Sequence, residues 1–216
     1  RVYHYKREER METRAVDEEL DMREELTNSD GQALLNLARM VKREGAIFVE
    51  VGSWKGHSAM FLGKVAQECN GHVYCIDHWK GSPTVPGHEG VKDCLNIFRH
   101  NMEALGLDSC VYPLVMDSET AGRIFANGIA SLVFIDADHR YKYIKQDLEI
   151  WSSKVREGGI LCGHDCDVYY SDYPNRKLLD ALEEYDAVEA IRFAGMKDYQ
   201  LNEGKNIHPG VTRALY

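Results

Sequence analysis

Long apolar runs are missing from this 216-residue chain. Its uninterrupted apolar stretches, such as Leu132-Val-Phe-Ile135, are strand-sized, far below the roughly 20 residues a membrane helix needs. No membrane span and no secretory signal is read from the sequence. Basic charge is also in deficit, with 26 Lys+Arg against 35 Asp+Glu and a formal net charge of −9. Binding to a nucleic-acid backbone needs a basic surface that releases counterions, so nucleic acid is not an expected partner. Paired cysteine knuckles are absent as well. The six cysteines (Cys69, Cys75, Cys94, Cys110, Cys162, Cys166) are scattered without CxxC pairs, and Cys75 and Cys162 sit inside apolar runs where a free thiol acts as a small hydrophobe. A reducing, cytoplasmic setting is the expectation. Cys162-Gly-His164-Asp-Cys166 invites a zinc reading, but structural zinc wants four ligands and no second knuckle exists. Internal repeats and low-complexity segments are lacking too.

What is present is an alternation. Residues 1–29 are expected to be a charged, helical N-terminal extension, a lid or an oligomer contact; residues 1–30 hold 6 basic and 10 acidic side chains. From Ser29-Asp30, an N-cap candidate, the stripe Leu34, Leu35, Leu37, Ala38, Val41 marks a helix, and one domain runs from residue 30 to 216. Strands are expected at Ala46–Val51, His72–Ile76, Val111–Val115, Ser131–Ile135 and Gly159–Cys162. Helices are expected between them at Ser58–Cys69, Val91–Leu105, Glu119–Ala126 and Tyr141–Val155. Apolar strands alternating with amphipathic helices imply an α/β fold, a mostly parallel central sheet with helices on both faces. Beyond Cys166, Arg176–Tyr185 reads as a helix and Ala187–Phe193 as a strand, followed by a polar loop to His208-Pro-Gly-Val211.

In such sheets ligands bind outside the carboxyl ends of the strands, where the winding reverses, and those ends carry the chemistry here. The first is followed by Glu50-Val-Gly52-Ser53-Trp54-Lys-Gly56-His-Ser58, a glycine turn into a helix N-terminus that lets backbone approach a ligand. It lacks the GxGxxG spacing of a dinucleotide cradle, and a cationic cofactor tail beside Glu50 fits better. The second ends in Asp77-His78-Trp79. Asp77 is placed to accept hydrogen bonds from ribose hydroxyls, and Trp79 is either core, rim or an adenine stacker. Met116-Asp117-Ser118 after the third strand is an adenine contact or an ordinary helix cap. The fourth and fifth strands end in Phe134-Ile-Asp136-Ala-Asp138-His139 and Cys162-Gly-His164-Asp165. Adjacent parallel strands lie about 4.8 Å apart, so Asp136, His164 and Asp165 can converge on one divalent cation, Mg²⁺ or a transition metal. His139 then stands beside that cation as a general base.

These motifs together resemble class I S-adenosylmethionine-dependent methyltransferases, which have a Rossmann-like sandwich, and more narrowly the metal-dependent O-methyltransferases of the catechol and macrolide-sugar type. The resemblance covers about residues 30–170. It implies S-adenosyl-L-methionine as cofactor, with Glu50, Gly52, Ser53, Trp54 and Ser58 around its methionine part, Asp77 at the ribose, Asp117 and Ser118 at the adenine, and His78 among the cofactor-binding residues. Asp136 falls beside the cofactor and, with His164 and Asp165, where the family keeps its Mg²⁺ or other divalent metal; His139 falls where it keeps the base. The catechol enzyme has an Asp-Asn pair where this chain has His164-Asp165. The implied reaction is methyl transfer to a hydroxyl of a small-molecule diol, a sugar, natural product or phenol, by a possible homo-oligomer. Three other readings compete: a DxD-type, Mn-dependent nucleotide-sugar transferase using Asp136-Ala-Asp138, an NAD-dependent oxidoreductase, which explains Asp77 but not the missing third glycine or the metal cluster, and a non-catalytic S-adenosylmethionine-binding module.

Overall fold

The computed structural model describes residues 26–81, 93–166, 169–172, 200–202 and 205–216, together with Leu20, Lys177 and Leu179. Helix α1 (Asn28–Val41) leads into β1 (Ile47–Val51), α2 (His57–Glu68), β2 (His72–Asp77), α3 (Cys94–Ala104), β3 (Val111–Val115), α4 (Ser118–Ile124), β4 (Ala130–Ile135), α5 (Tyr141–Ser152) and β5 (Val155–Gly163). A 3₁₀ turn (Tyr170–Asp172), two short strands, β6 (Gln200–Asn202) and β7 (Lys205–Ile207), and α6 (Pro209–Leu215) follow. The first five strands form one sheet in the order β3-β2-β1-β4-β5, and every pairing in it is parallel. The expected α/β sandwich is what the chain builds.

Strand periodicity explains the two cores. Successive residues of a strand point to opposite faces, so Phe48, Leu132 and Phe134 join α1, α2 and α3 in one apolar cluster. Their neighbours Val49, Val51, Val133 and Ile135 join Ile144 and Trp151 of α5 and Val211 of α6 in the other. Glu50 lies on the Phe48 face and is completely buried. The chain winds outward from β1 to β3 and then returns to lay β4 beside β1. That reversal between β1 and β4 sets the crevice position.

Three local expectations are corrected. The cap of α1 is Thr27, whose hydroxyl accepts the Asp30 N–H, so the helix begins just before Ser29-Asp30. Helix α5 stops at Ser152 and β5 begins at Val155, because Val155 pairs with Ala130 and the ladder is irregular between Ala130 and Leu132. Gly158 (φ +70°) takes the bend, and a Cβ at Gly159 would stand 2.8 Å from the Ser131 carbonyl oxygen. The strand expected from Gly159 thus begins at Val155, with Gly158-Gly159 as a kink within it. At the other end, β6 and β7 make an antiparallel pair apart from the main sheet. The extension at 1–29, except Leu20 and residues 26–29, lies outside the described residues, as does the expected strand at 187–193. The expected helix at 176–185 does so too, except for Lys177 and Leu179. Leu20 and Leu26 are buried in the α1–α3 core. Among the described residues no helix is long and apolar enough to cross a membrane. No disulfide joins any of the six cysteines, and the buried Cys162 thiol points to the Val133 carbonyl oxygen, its pKa pushed up to about 12 by burial.

Candidate active site

Register brings the predicted residues together. Val51 pairs with Ile135 and Ile135 with Gly163, so the residues after these strands emerge side by side. The Asp136 N–H donates to the Val51 carbonyl at 2.8 Å, and the His164 N–H to the Ile135 carbonyl at 3.1 Å. Gly52 (φ +88°) turns directly beneath them, where a Cβ would stand 2.1 Å from the Asp136 carbonyl oxygen. Only glycine fits that crossing.

The turn from Gly52 to Ser58 is clamped from three sides. Asp77 accepts the Ser53 and Trp54 N–H groups at 3.1 and 2.9 Å on one oxygen and the Trp79 N–H at 2.7 Å on the other. The Trp79 indole donates to the Trp54 carbonyl at 2.7 Å, and Asn101 to the Lys55 carbonyl at 2.9 Å. Trp79 is buried and packs edge-on against Phe98 with ring centroids 5.3 Å apart. Of the roles the sequence allowed it, the structure gives it the core one. His78 stays half exposed at the rim, its Nδ1 accepting the Lys80 N–H.

Under this turn lies Glu50. Neither carboxylate oxygen closes a hydrogen bond of regular geometry, although Ser53, Ser58 and Cys75 stand close enough to favour its charged form. Desolvation wins, and burial pushes the carboxyl up to about 7. A buried carboxylate short of donors is a site for a cationic group.

The third strand's loop serves α4. Asp117 caps that helix through the Thr120 N–H at 2.7 Å, and this hydrogen bond holds its carboxyl below the usual range. Ser118 turns inward: its hydroxyl donates to buried Asp147 and accepts the Trp151 indole N–H at 2.8 Å. The Ser118 hydroxyl is thus occupied in the α4–α5 packing.

Asp136, His164 and Asp165 converge, their ligand atoms all within 4.8 Å of one another. His164 Nδ1 lies 3.0 Å from Asp165 Oδ1 and 3.8 Å from Asp136 Oδ1. His139 Nε2 is 2.9 Å from Asp165 Oδ2 and 3.8 Å from Asp136 Oδ1. Burial alone would lower the His164 pKa. The Asp165 hydrogen bond and the charges of Asp136, Asp165 and Asp30 outweigh it and raise it to about 9. Burial works the other way on Asp165, and its bonds to His139 and His164 overcome that and hold it well below the usual carboxylate range. The cluster recruits positive charge, which a divalent cation can replace on releasing the His164 proton. Asp138 takes no part: its carboxylate accepts the Arg140 backbone and guanidinium N–H groups, both at 2.9 Å. The DxD reading loses its second ligand there.

Two residues at the cluster were not anticipated. Asp30 of α1 reaches within 3.8 Å of His164 Nε2, and His208, at the N-terminal boundary of α6, packs its ring tilted against His139 with ring centroids 4.3 Å apart. Both arrive from elements far away in sequence, and no local pattern announces them.

Residues 49–166 match a family described as a methyltransferase domain. Among solved structures, an O-methyltransferase from Bacillus cereus, in complex with SAH, superposes with a TM-score of 0.53 at 18% identity, over 82% of this chain and 74% of that one. A Corynebacterium glutamicum protein gives 0.53 at 17%, over 89% and 82%. The cofactor-bound Rv0187 protein from MTB gives 0.48 at 23%, over 68% of this chain, which spans only 59% of that protein. The five-stranded parallel sheet is the class I methyltransferase fold, and the chain belongs to the methyltransferase-domain family.

Proposed function

We propose that this chain is an S-adenosylmethionine-dependent O-methyltransferase, assisted by a divalent cation, that methylates a hydroxyl of a small-molecule diol. The observation that carries this reading is the meeting of Asp136, His164, Asp165 and His139 beside the Gly52 turn. The residues fit the cofactor: Glu50 offers a buried, donor-poor carboxylate for its ammonium group. Asp77, with about four lone-pair sites and three taken by loop N–H groups, can still accept a ribose hydroxyl. Asp117 and the Met116–Ser118 backbone border the adenine side.

When bound, S-adenosylmethionine supplies an electrophilic methyl on sulfur, and the cation, Mg²⁺ or a transition metal, supplies charge that lowers the pKa of a neighbouring hydroxyl. Asp136, His164 and Asp165 would hold the cation. Their place next to the Gly52 turn orients an acceptor oxygen toward the cofactor, a contribution of proximity and aim. His139 Nε2, 2.9 Å from Asp165 Oδ2, lies at the same cluster and, in the neutral imidazole with this nitrogen unprotonated, would accept the hydroxyl proton.

His139→Ala tests the base assignment. Turnover should fall at least a hundredfold while S-adenosylhomocysteine binds as in the wild type. Unchanged turnover across pH contradicts the role. Binding without any methyl transfer by the wild type, over a panel of sugar and phenol diols, would favour a cofactor-binding module instead.

A further inference from the structure

We propose that the cluster contains a second cation position, formed by His139, Asp165 and His208, which takes a borderline transition-metal ion such as Zn²⁺ and shares Asp165 with the Asp136–His164–Asp165 position. The two oxygens of Asp165 face different partners. Oδ1 is 3.0 Å from His164 Nδ1, whereas Oδ2 is 2.9 Å from His139 Nε2 and 3.9 Å from His208 Nε2. The ligand atoms of His139, Asp165 and His208 all lie within 4.8 Å of one another. Donors bound at about 2.0–2.2 Å from a tetrahedral ion stand some 3–3.6 Å apart, so small side-chain shifts complete the set. All three side chains are largely shielded, at 13%, 18% and 12% exposure.

The juxtaposition is built into the backbone. Helix α6 lies so close to the 139–141 segment that a Cβ at Gly210 would stand 2.1 Å from the His139 carbonyl oxygen and 2.4 Å from the Tyr141 nitrogen. Val211 and Thr212 are buried, and the Arg213 guanidinium sits 5.7 Å from the Tyr141 ring centroid. His208 is therefore held over His139 by main-chain packing.

The donor chemistry separates the two positions. Two imidazoles and one carboxylate suit zinc, cobalt or ferrous iron, whereas Mg²⁺ prefers oxygen and keeps its waters. An ion there uses His139 Nε2, the nitrogen assigned above to the substrate proton. Occupation by Zn²⁺ consequently inhibits the reaction that Mg²⁺ at the first position assists. The second position stands independently of the methyltransferase reading; the inhibition rests on it.

Equilibrium dialysis of the full chain against Zn²⁺, without cofactor or acceptor and with metal counted by mass spectrometry, tests the position. His208→Ala should bind one equivalent fewer than wild type, and Asp165→Asn two fewer. His208→Asn repeats the comparison should the alanine variant melt early. Equal stoichiometry in wild type and both His208 variants would overturn the second position, and loss of a single equivalent in Asp165→Asn would overturn the sharing. Substituting Co²⁺ should give a visible absorption band that His208→Ala diminishes; an unaltered spectrum counts against the proposal. Zn²⁺ added to the Mg²⁺-supplemented enzyme should abolish methyl transfer. If the stoichiometry holds and activity survives, His139 is not the base and the second position stands.

Discussion

Glu50→Gln separates stability from cofactor binding. The wild-type carboxyl is fully buried, and desolvation raises it from 4.5 to about 7. Between these values the unfolded chain has released the proton while the folded chain retains it. Stability therefore falls as pH rises from about 4.5 to about 7 and is level above. At about 1.4 kcal/mol per pH unit, the penalty above that window is about 3 kcal/mol. Glutamine has the same shape and no charge to desolvate, so the variant loses this pH dependence. At roughly 2–4 °C per kcal/mol for a chain of this size, and allowing for the buried amide's own unmet hydrogen bonds, it should melt about 5 °C higher than wild type at pH 8. At pH 4.5 the advantage should disappear. Binding moves oppositely. Losing a charge-assisted contact worth about 1.5–3 kcal/mol should weaken S-adenosylhomocysteine binding by roughly 10- to 100-fold at pH 8. Scanning fluorimetry from pH 4.5 to 8.5, with and without ligand, reads both effects. Parallel melting curves for the two proteins would refute the buried-charge argument, and undiminished affinity would remove Glu50 from the cofactor site.

Gly52→Ala places a Cβ against the Asp136 carbonyl in a left-handed conformation; it should cost about 2–4 kcal/mol in denaturant melts and abolish cofactor binding. Ser118→Ala deprives Asp147 and Trp151 of their shared partner. It should destabilise by about 2 kcal/mol while the S-adenosylhomocysteine Kd shifts less than about threefold, and a large affinity loss would restore Ser118 to the adenine site. Chelation should remove methyl transfer, with recovery on adding Mg²⁺ or Mn²⁺, and leave cofactor affinity intact by calorimetry.

The sheet was legible because its five strands are short apolar runs separated by helical stripes, and parallel pairing then puts their carboxyl ends in one line. Knowing that β1, β4 and β5 are neighbours is enough to bring Gly52, Asp136 and His164 together. Boundaries were harder where one residue fits both periodicities. Val155 continues the apolar stripe of α5, yet its backbone pairs with Ala130, and the Gly158-Gly159 pair marks a bend rather than an end. Short-range chemistry also hid a role: Asp-Ser after β3 reads equally as a cap and a ligand, and Asp117 does cap while Ser118 is turned inward by Trp151 and Asp147. Asp30 and His208 were beyond reach for a different reason. Their approach to His164 and His139 depends on how α1 and α6 dock, through Leu34, Leu35 and Val211 and the bare face of Gly210, and such packing leaves no spacing in the chain.

An S-adenosylmethionine site in the crevice between β1 and β4, coupled to a cation cluster, requires two separable binding events. Isothermal titration with S-adenosylhomocysteine, before and after chelation, and a parallel titration with Mg²⁺ measure them most directly. Micromolar cofactor binding that survives chelation, with a separate Mg²⁺ event lost in Asp136→Asn, is the expected result. No S-adenosylhomocysteine binding under either condition would contradict the account.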